Sequence, residues 1–184
     1  VCQDLCDRVC AVMKEERVPI VLGGDHSLAM GSIAGVAKHY REQKQRVGLI
    51  WFDAHGDMNT PDSTTSGNVH GMPLAHVLGL GDPLLANIGG FTPKVHHSNT
   101  VLVGIRDLDD REKKCVADSG VRVFTMKDID RRGVSQVMDE AVQIATRGTV
   151  GIHVSFDVDS IDPSVARGVY GNRASDKIDG RFCH

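Results

Sequence analysis

Asp53-Ala-His55-Gly-Asp57 places three metal-capable side chains at alternate positions, directly after the apolar run Val47–Phe52. In extended backbone, residues i, i+2 and i+4 point the same way, so the three enter one space. Two carboxylates and an imidazole crowded together repel one another and lose hydration; a divalent cation removes both penalties. The pattern recurs where Val150–Phe156 runs into Asp157-Val-Asp159, and where Val18–Leu22 runs into Gly23-Gly24-Asp25-His26-Ser27. Three strand ends thus deliver His26, Asp53, His55, Asp57, Asp157 and Asp159. Two imidazoles and four carboxylates are too many for one tetrahedral zinc with an open position. They suit two octahedral-leaning ions of the Mn²⁺ type, bridged by carboxylates and roughly 3.5–4 Å apart.

Each motif alone has a plainer explanation. An Asp at a strand end is usually a turn or helix-cap residue. Gly23–Ser27 could be a tight turn in which Asp25 or Ser27 caps the next helix, and it lacks the Lys and glycine spacing of a phosphate loop. The recurrence of such endings in one short chain favours the metal reading.

The elements that must position these groups alternate in type. Helical periodicity covers Leu5–Glu16, Ala29–Gln43 and Val134–Ala145, with a shorter helix at Asp110–Ser119. Strand-like runs are Val18–Leu22, Val47–Phe52, Thr100–Ile105, Val121–Thr125 and Gly151–Phe156. Strands that are apolar throughout and alternate with helices predict an α/β fold with a mostly parallel sheet covered on both faces. Sites in such folds lie beyond the carboxyl ends of the strands, where every candidate ligand falls. The polar connection Met58–His70 follows the metal motif and reads as a functional loop; Gly79–Asn99 reads as a surface excursion.

The chain has 184 residues, 41% hydrophobic content and a net charge of −3, which fits one globular domain. It has no basic face for nucleic acid and no apolar run long enough to span a membrane. Val1-Cys2-Gln3-Asp4 shows neither a secretory signal nor an initiator Met, so the chain is expected to begin inside a longer protein. The five cysteines include no C-x-x-C pair. Cys2, Cys6 and Cys10 share a helix side with Val9 and Met13, as buried reduced thiols do, and a cytoplasmic setting follows. His39, His76, His96, His97 and His153 read as structural or solvated.

Three ordered motifs, Gly23–Ser27, Asp53–Asp57 and Ser155-Phe-Asp157-Val-Asp159-Ser-Ile-Asp162-Pro163, resemble the signatures of the ureohydrolases, which include arginase, agmatinase and formimidoylglutamase. The resemblance runs from about Val18 to Ala166. It implies a three-layer α/β/α fold and a dimanganese hydrolase. Thr64–Gly71 and Gly104-Ile-Arg106-Asp107-Leu-Asp109-Asp-Arg-Glu112 look like the arginase versions of the substrate segments. By that likeness, Asn59, Thr64, Ser66 and Asn68 contact the α-carboxylate region of L-arginine, while Asp109 and Glu112 engage its α-amino group. The chemistry is consistent: a carboxylate wants neutral hydrogen-bond donors and an ammonium wants an anion. A surface turn and an acidic helix N-terminus are the plain alternatives for these two segments.

The resemblance further implies that Asp53 and Asp157 bridge two Mn²⁺ ions, with His26 and Asp57 completing one site and His55 and Asp159 the other. A metal-bridging hydroxide held by Asp57 would attack the guanidinium carbon, His70 would shuttle the proton, and L-ornithine and urea would leave. Urea-cycle-type arginine metabolism and trimeric or hexameric assembly belong to the same expectation. Agmatinase-like specificity, a catalytically silent metal-binding fragment and a two-metal phosphoesterase are the alternatives.

The chain departs from the family at both ends. The strand expected before the first helix is missing, and after Ala166 the sequence Arg167-Gly-Val-Tyr170 replaces the usual Pro-Gly-Val-Gly-Thr-Pro type continuation. A partial ureohydrolase domain over 1–166 followed by a divergent, disordered tail over 167–184 is the resulting expectation.

Overall fold

The computed structural model describes residues 1–162 and 165, so the expected tail lies outside the described residues. Four strands, β1 (Gly48–Phe52), β2 (Thr100–Ile105), β3 (Arg122–Thr125) and β4 (Ile152–Phe156), form one sheet in the order β3-β2-β1-β4. All neighbours are parallel, with Ile50 opposite both Val101 and Val154.

Strand parity divides the core in two. On one face Leu49, Trp51 and Leu102 pack with Cys6, Val9, Met30 and Ile33. Those four come from α1 (Cys2–Lys14) and α2 (Ala29–Glu42), and α3 (Pro73–Val77) joins them with Leu74 and Val77. A short α4 (Pro83–Ala86) follows, and α5 (Asp110–Ser119) adds Val116 to the same face. On the other face Ile50, Val101, Val103 and Phe124 meet Val137, Ala141 and Ala145. These come from α7 (Val134–Ala145), with Ile129 of α6 (Met126–Arg132) packed alongside. Helices on both faces of a parallel sheet are the layering that the apolar strands predicted.

Residues Gly31 and Gly35 let α1 and α2 approach closely. A methyl at Gly35 would sit 2.6 Å from the Cys6 carbonyl oxygen and 2.7 Å from Val9 Cβ.

Chain direction places the site. From β1 the chain moves outward to β2 and then β3, whereas β4 returns to the other side of β1. The connections leaving β1 and entering β4 therefore diverge, and the carboxyl ends of these two neighbours flank a switch point. Asp53 follows β1 and Asp157 follows β4.

One expected strand does not form. Residues 18–22 run without regular structure, and Val18, Ile20 and Leu22 are more than four-fifths exposed. The apolar composition was right for a strand, but strand identity requires a hydrogen-bonded neighbour, and no described strand pairs with this segment. Only two of the three motifs therefore follow strands. Three short helices also escaped periodicity. Pro73 and Pro83 at helix N-termini, and the reciprocal capping box of Thr125 and Asp128, are the local signals that mark them.

Candidate metal centre and adjoining cleft

Although residues 18–22 are not a strand, His26 still reaches the sheet end. Asp25 caps the 3₁₀ turn His26–Leu28 by accepting from the Ser27 N–H, which fixes where the imidazole starts. The His26 Nδ1 lies 2.9 Å from Asp53 Oδ2, 3.2 Å from Asp57 Oδ2 and 3.3 Å from Asp157 Oδ2. Its Nε2 lies 2.8 Å from Ser155 Oγ, and its ring stacks on Trp51 at 3.9 Å. Ser155 and Trp51 thus aim Nδ1 at the carboxylates.

Asp53 is almost wholly buried and is gripped from several sides. Trp51 Nε1 donates to Oδ2 at 3.0 Å, and the His55 N–H donates to Oδ1 at 2.8 Å. Around the second imidazole, His55 Nδ1 is 3.1 Å from Asp159 Oδ2 and 3.3 Å from Asp53 Oδ1. The backbone N–H groups of Ala54 and Asp159 donate to Asp159 Oδ1 and Asp157 Oδ1, tying the two acidic loops together.

The electrostatics follow from this crowding. Burial opposes a charge on His26, but hydrogen bonds to Asp157, Asp53 and Asp57 outweigh it and push its pKa up to about 11. Hydrogen bonds to Asp159 and then Asp53 push His55 up to about 11 as well. Burial works to raise Asp53, yet His26 and His55 hold it below the usual carboxylate range. Asp157 is lowered chiefly by His26. Asp57 is raised to about 7 by burial, and its backbone takes the left-handed φ of 49°, which is uncommon outside glycine. Both upward shifts have one cause, imidazoles packed among carboxylates.

Two triads have ligand atoms all within 4.8 Å of one another: His26, Asp53 and Asp157, and Asp53, His55 and Asp159. Asp53 is common to both. Nitrogen and oxygen donors converging from three segments fit a pair of divalent ions. Asp57 stands beside the first triad through His26, and Asp157 belongs to the first alone.

Above the ligands opens a cleft of about 1000 Å³, bordered among others by Asn59, Ser66, His70, Asp109 and Glu112. Asn59 donates from Nδ2 to Asp109 Oδ2 at 2.8 Å and accepts from Ser63, so it links the polar loop to the α5 N-terminus. Asp109 caps α5, and burial opposed by the Glu112 N–H and Asn59 leaves its pKa lowered. Glu112 is buried, accepts from the Met58 N–H at 3.0 Å, and is raised to about 7 by burial. Thr64 and Asn68 do not border the cleft: Thr64 Oγ1 accepts from the Gly67 N–H, and the Asn68 N–H donates to Ser66 Oγ. Sequence reasoning missed Trp51 and Ser155, although each sits two residues before a ligand and shares its strand parity.

Fold and site define a class: a parallel α/β domain that gathers imidazoles and carboxylates into a candidate metal centre at a topological switch point. Residues 1–174 match the model of the Arginase family, and the chain belongs to that family. An arginase of Brevibacillus brevis is 50% identical over 167 residues, covering 91% of this chain and 55% of that protein. The solved arginase of Bacillus caldovelox superposes with a TM-score of 0.84 at 48% identity, over 89% of this chain and 53% of that one. An Entamoeba histolytica arginase solved in complex with L-ornithine gives 0.78 at 40% identity, over 89% and 54%. The chain therefore spans about half the length of these relatives.

Proposed function

We propose that the cleft serves the hydrolysis of L-arginine to L-ornithine and urea, with two Mn²⁺ ions held by His26, Asp53, His55, Asp57, Asp157 and Asp159. The observation that carries this reading is the meeting of two ligand triads, which share Asp53, beneath the Asn59–Asp109–Glu112 wall. When bound, such ions supply Lewis acidity and make a water acidic enough to deprotonate near neutral pH.

The chain's own residues do the rest. Asp57, buried and left-handed, accepts a hydrogen bond from the nucleophilic water and orients it. His70, exposed at the cleft mouth, takes up protons from solvent and delivers one to the leaving amine. Asp109 and Glu112 present anions to the α-ammonium, and Asn59, Thr64, Ser66 and Asn68 supply neutral donors to the α-carboxylate. For Thr64 and Asn68 this requires the loop to close over substrate from the arrangement described. Agmatine has no carboxylate for these donors, so arginine is the better fit. The free cysteines Cys2, Cys6, Cys10 and Cys115 accord with a reducing, cytoplasmic setting, and no described helix is long and apolar enough to cross a membrane.

Urea release with added Mn²⁺, arginine against agmatine, tests the assignment; faster turnover of agmatine rejects the substrate. Manganese uptake with no urea formed favours the second reading, a silent metal-binding fragment. His70→Asn should leave manganese uptake intact and lower turnover by about 10²–10⁴-fold, as loss of a positioned proton carrier does. Unchanged turnover removes His70 from the mechanism.

A further inference from the structure

We infer that Arg106 is the positioning residue that locks the Asp157–Asp159 turn to the Asp53–Asp57 loop and so holds the second ligand triad in register. The inference rests on the metal reading above. Arg106 sits immediately beyond β2, and its side chain is exposed. Its main-chain N–H donates to the Ala54 carbonyl at 2.8 Å, joined there by the Asp107 N–H at 3.0 Å. Its guanidinium reaches the other way. Nη1 donates to the Ser160 carbonyl at 3.0 Å, and Nη2 donates to the carbonyls of Asp159 and, at 3.4 Å, Ile161.

Those three carbonyls close the 3₁₀ turn Val158–Ser160, which carries Asp159. Carbonyls at the end of a helical turn have no partner within it, and a nearby Arg is one way to satisfy them. A planar guanidinium presents five donors in a fixed fork, so one side chain can hold consecutive carbonyls; a lysine ammonium lacks that shape. One residue therefore grips both acidic loops, by its backbone on one side and its side chain on the other. The need is physical. Asp53, Asp157 and Asp159 repel one another, and the turn bearing Asp159 is otherwise tied to the β1 loop by the Ala54 N–H and His55.

The effect is expected to be unequal. The triad of Asp53, His55 and Asp159 contains the clamped residue, whereas the triad of His26, Asp53 and Asp157 does not. Arg106→Ala and Arg106→Lys are compared with the unaltered chain and with Arg8→Ala, a surface change on α1. The first measurement is amide hydrogen exchange on metal-free protein. Arg106→Ala should speed exchange at Ala54, Asp159 and Ser160 about tenfold or more, with Arg106→Lys intermediate and Arg8→Ala unchanged. The second is a Mn²⁺ titration followed by calorimetry, in which Arg106→Ala should weaken one of two ions by about 10–100-fold, the range typical of outer-shell partners, and spare the other.

Unaltered exchange at all three amides overturns the role of Arg106, whatever the metal result. Equal weakening of both ions, or of neither, overturns its selectivity for the second triad. No manganese uptake by the unaltered chain overturns the metal reading instead, while the exchange data still decide whether Arg106 braces the loops.

Discussion

At the scale of the residue, His26 shows how one side chain is set by its neighbours. Ser155 holds one ring nitrogen, Trp51 stacks beneath the ring, and the other nitrogen is left facing three carboxylates. Trp51 also donates to Asp53, so the chain's single tryptophan touches two residues of the same triad. Replacing Trp51 with Phe keeps an apolar ring and removes the donor. Mn²⁺ affinity should fall by about 10-fold or more, the usual consequence of losing an outer-shell hydrogen bond. Calorimetry on Trp51→Phe decides it, and an unchanged affinity would mean that the indole N–H is only a packing feature. Tryptophan emission in the unaltered chain should change saturably as Mn²⁺ is added, because the indole lies against His26. Spacing picked out Asp53, His55, Asp157 and Asp159, four of the five residues that the structure gathers into two triads, since strand parity is encoded in sequence; His26 follows a segment that forms no strand, and its place was set by the fold. Trp51 and Ser155 could not be singled out, because their importance comes from what lies across the sheet end.

At the scale of the element, close approach sets the tolerances. Gly35 carries no special backbone angle; its small size is what α1 requires. Gly35→Ala pushes a methyl into the Cys6 carbonyl and should lower unfolding free energy by about 1–3 kcal/mol, the range for overpacking. Gly151→Ala meets nothing within 4 Å and should cost far less. Urea midpoints of the two variants make the comparison, and equal midpoints would show that the α1–α2 contact is looser than described. Helices with a long amphipathic face were legible to within a few residues, as Asp110–Ser119 and Val134–Ala145 show. Residues 18–22 were not. Their Val, Ile and Leu favour a strand, but strand formation is a property of two neighbours and this segment has none among the described residues.

At the scale of the whole molecule, β4 is the last strand on one side of the sheet among the described residues, with Val154 and Phe156 each more than half exposed there. Exposed apolar strands at a sheet edge invite association. The double change Val154→Thr, Phe156→Thr should reduce light scattering on warming, and undiminished scattering would place the aggregation surface elsewhere. His153, on the same strand, has no hydrogen-bond partner among the described residues, and burial alone lowers its pKa to about 4. The unfolded chain takes up its proton near pH 6.5, so between 6.5 and 4 the unfolded state binds more protons. Stability attached to a neutral His153 is therefore complete above pH 6.5 and lost as pH falls towards 4, by at most about 3 kcal/mol. Asp57 and Glu112, both raised to about 7, act in the opposite sense over that range, so the contribution is read from a difference. His153→Gln should lose less stability than the unaltered chain between pH 6.5 and 4, and parallel profiles would refute this.

The sequence by itself determined the parallel α/β class, the family and the residue types of the candidate centre, because side-chain period and residue type are local properties. Tertiary structure alone decided how those groups meet. It gathered five of the candidate ligands into two triads sharing Asp53, left Thr64 and Asn68 outside the cleft, and denied residues 18–22 a strand. It also put Arg106 across two acidic loops that lie about fifty residues away on either side along the chain. Spacing along a chain fixes which way neighbouring side chains point, but distances between remote segments are set only when the sheet orders its strands and the two helical layers close over them.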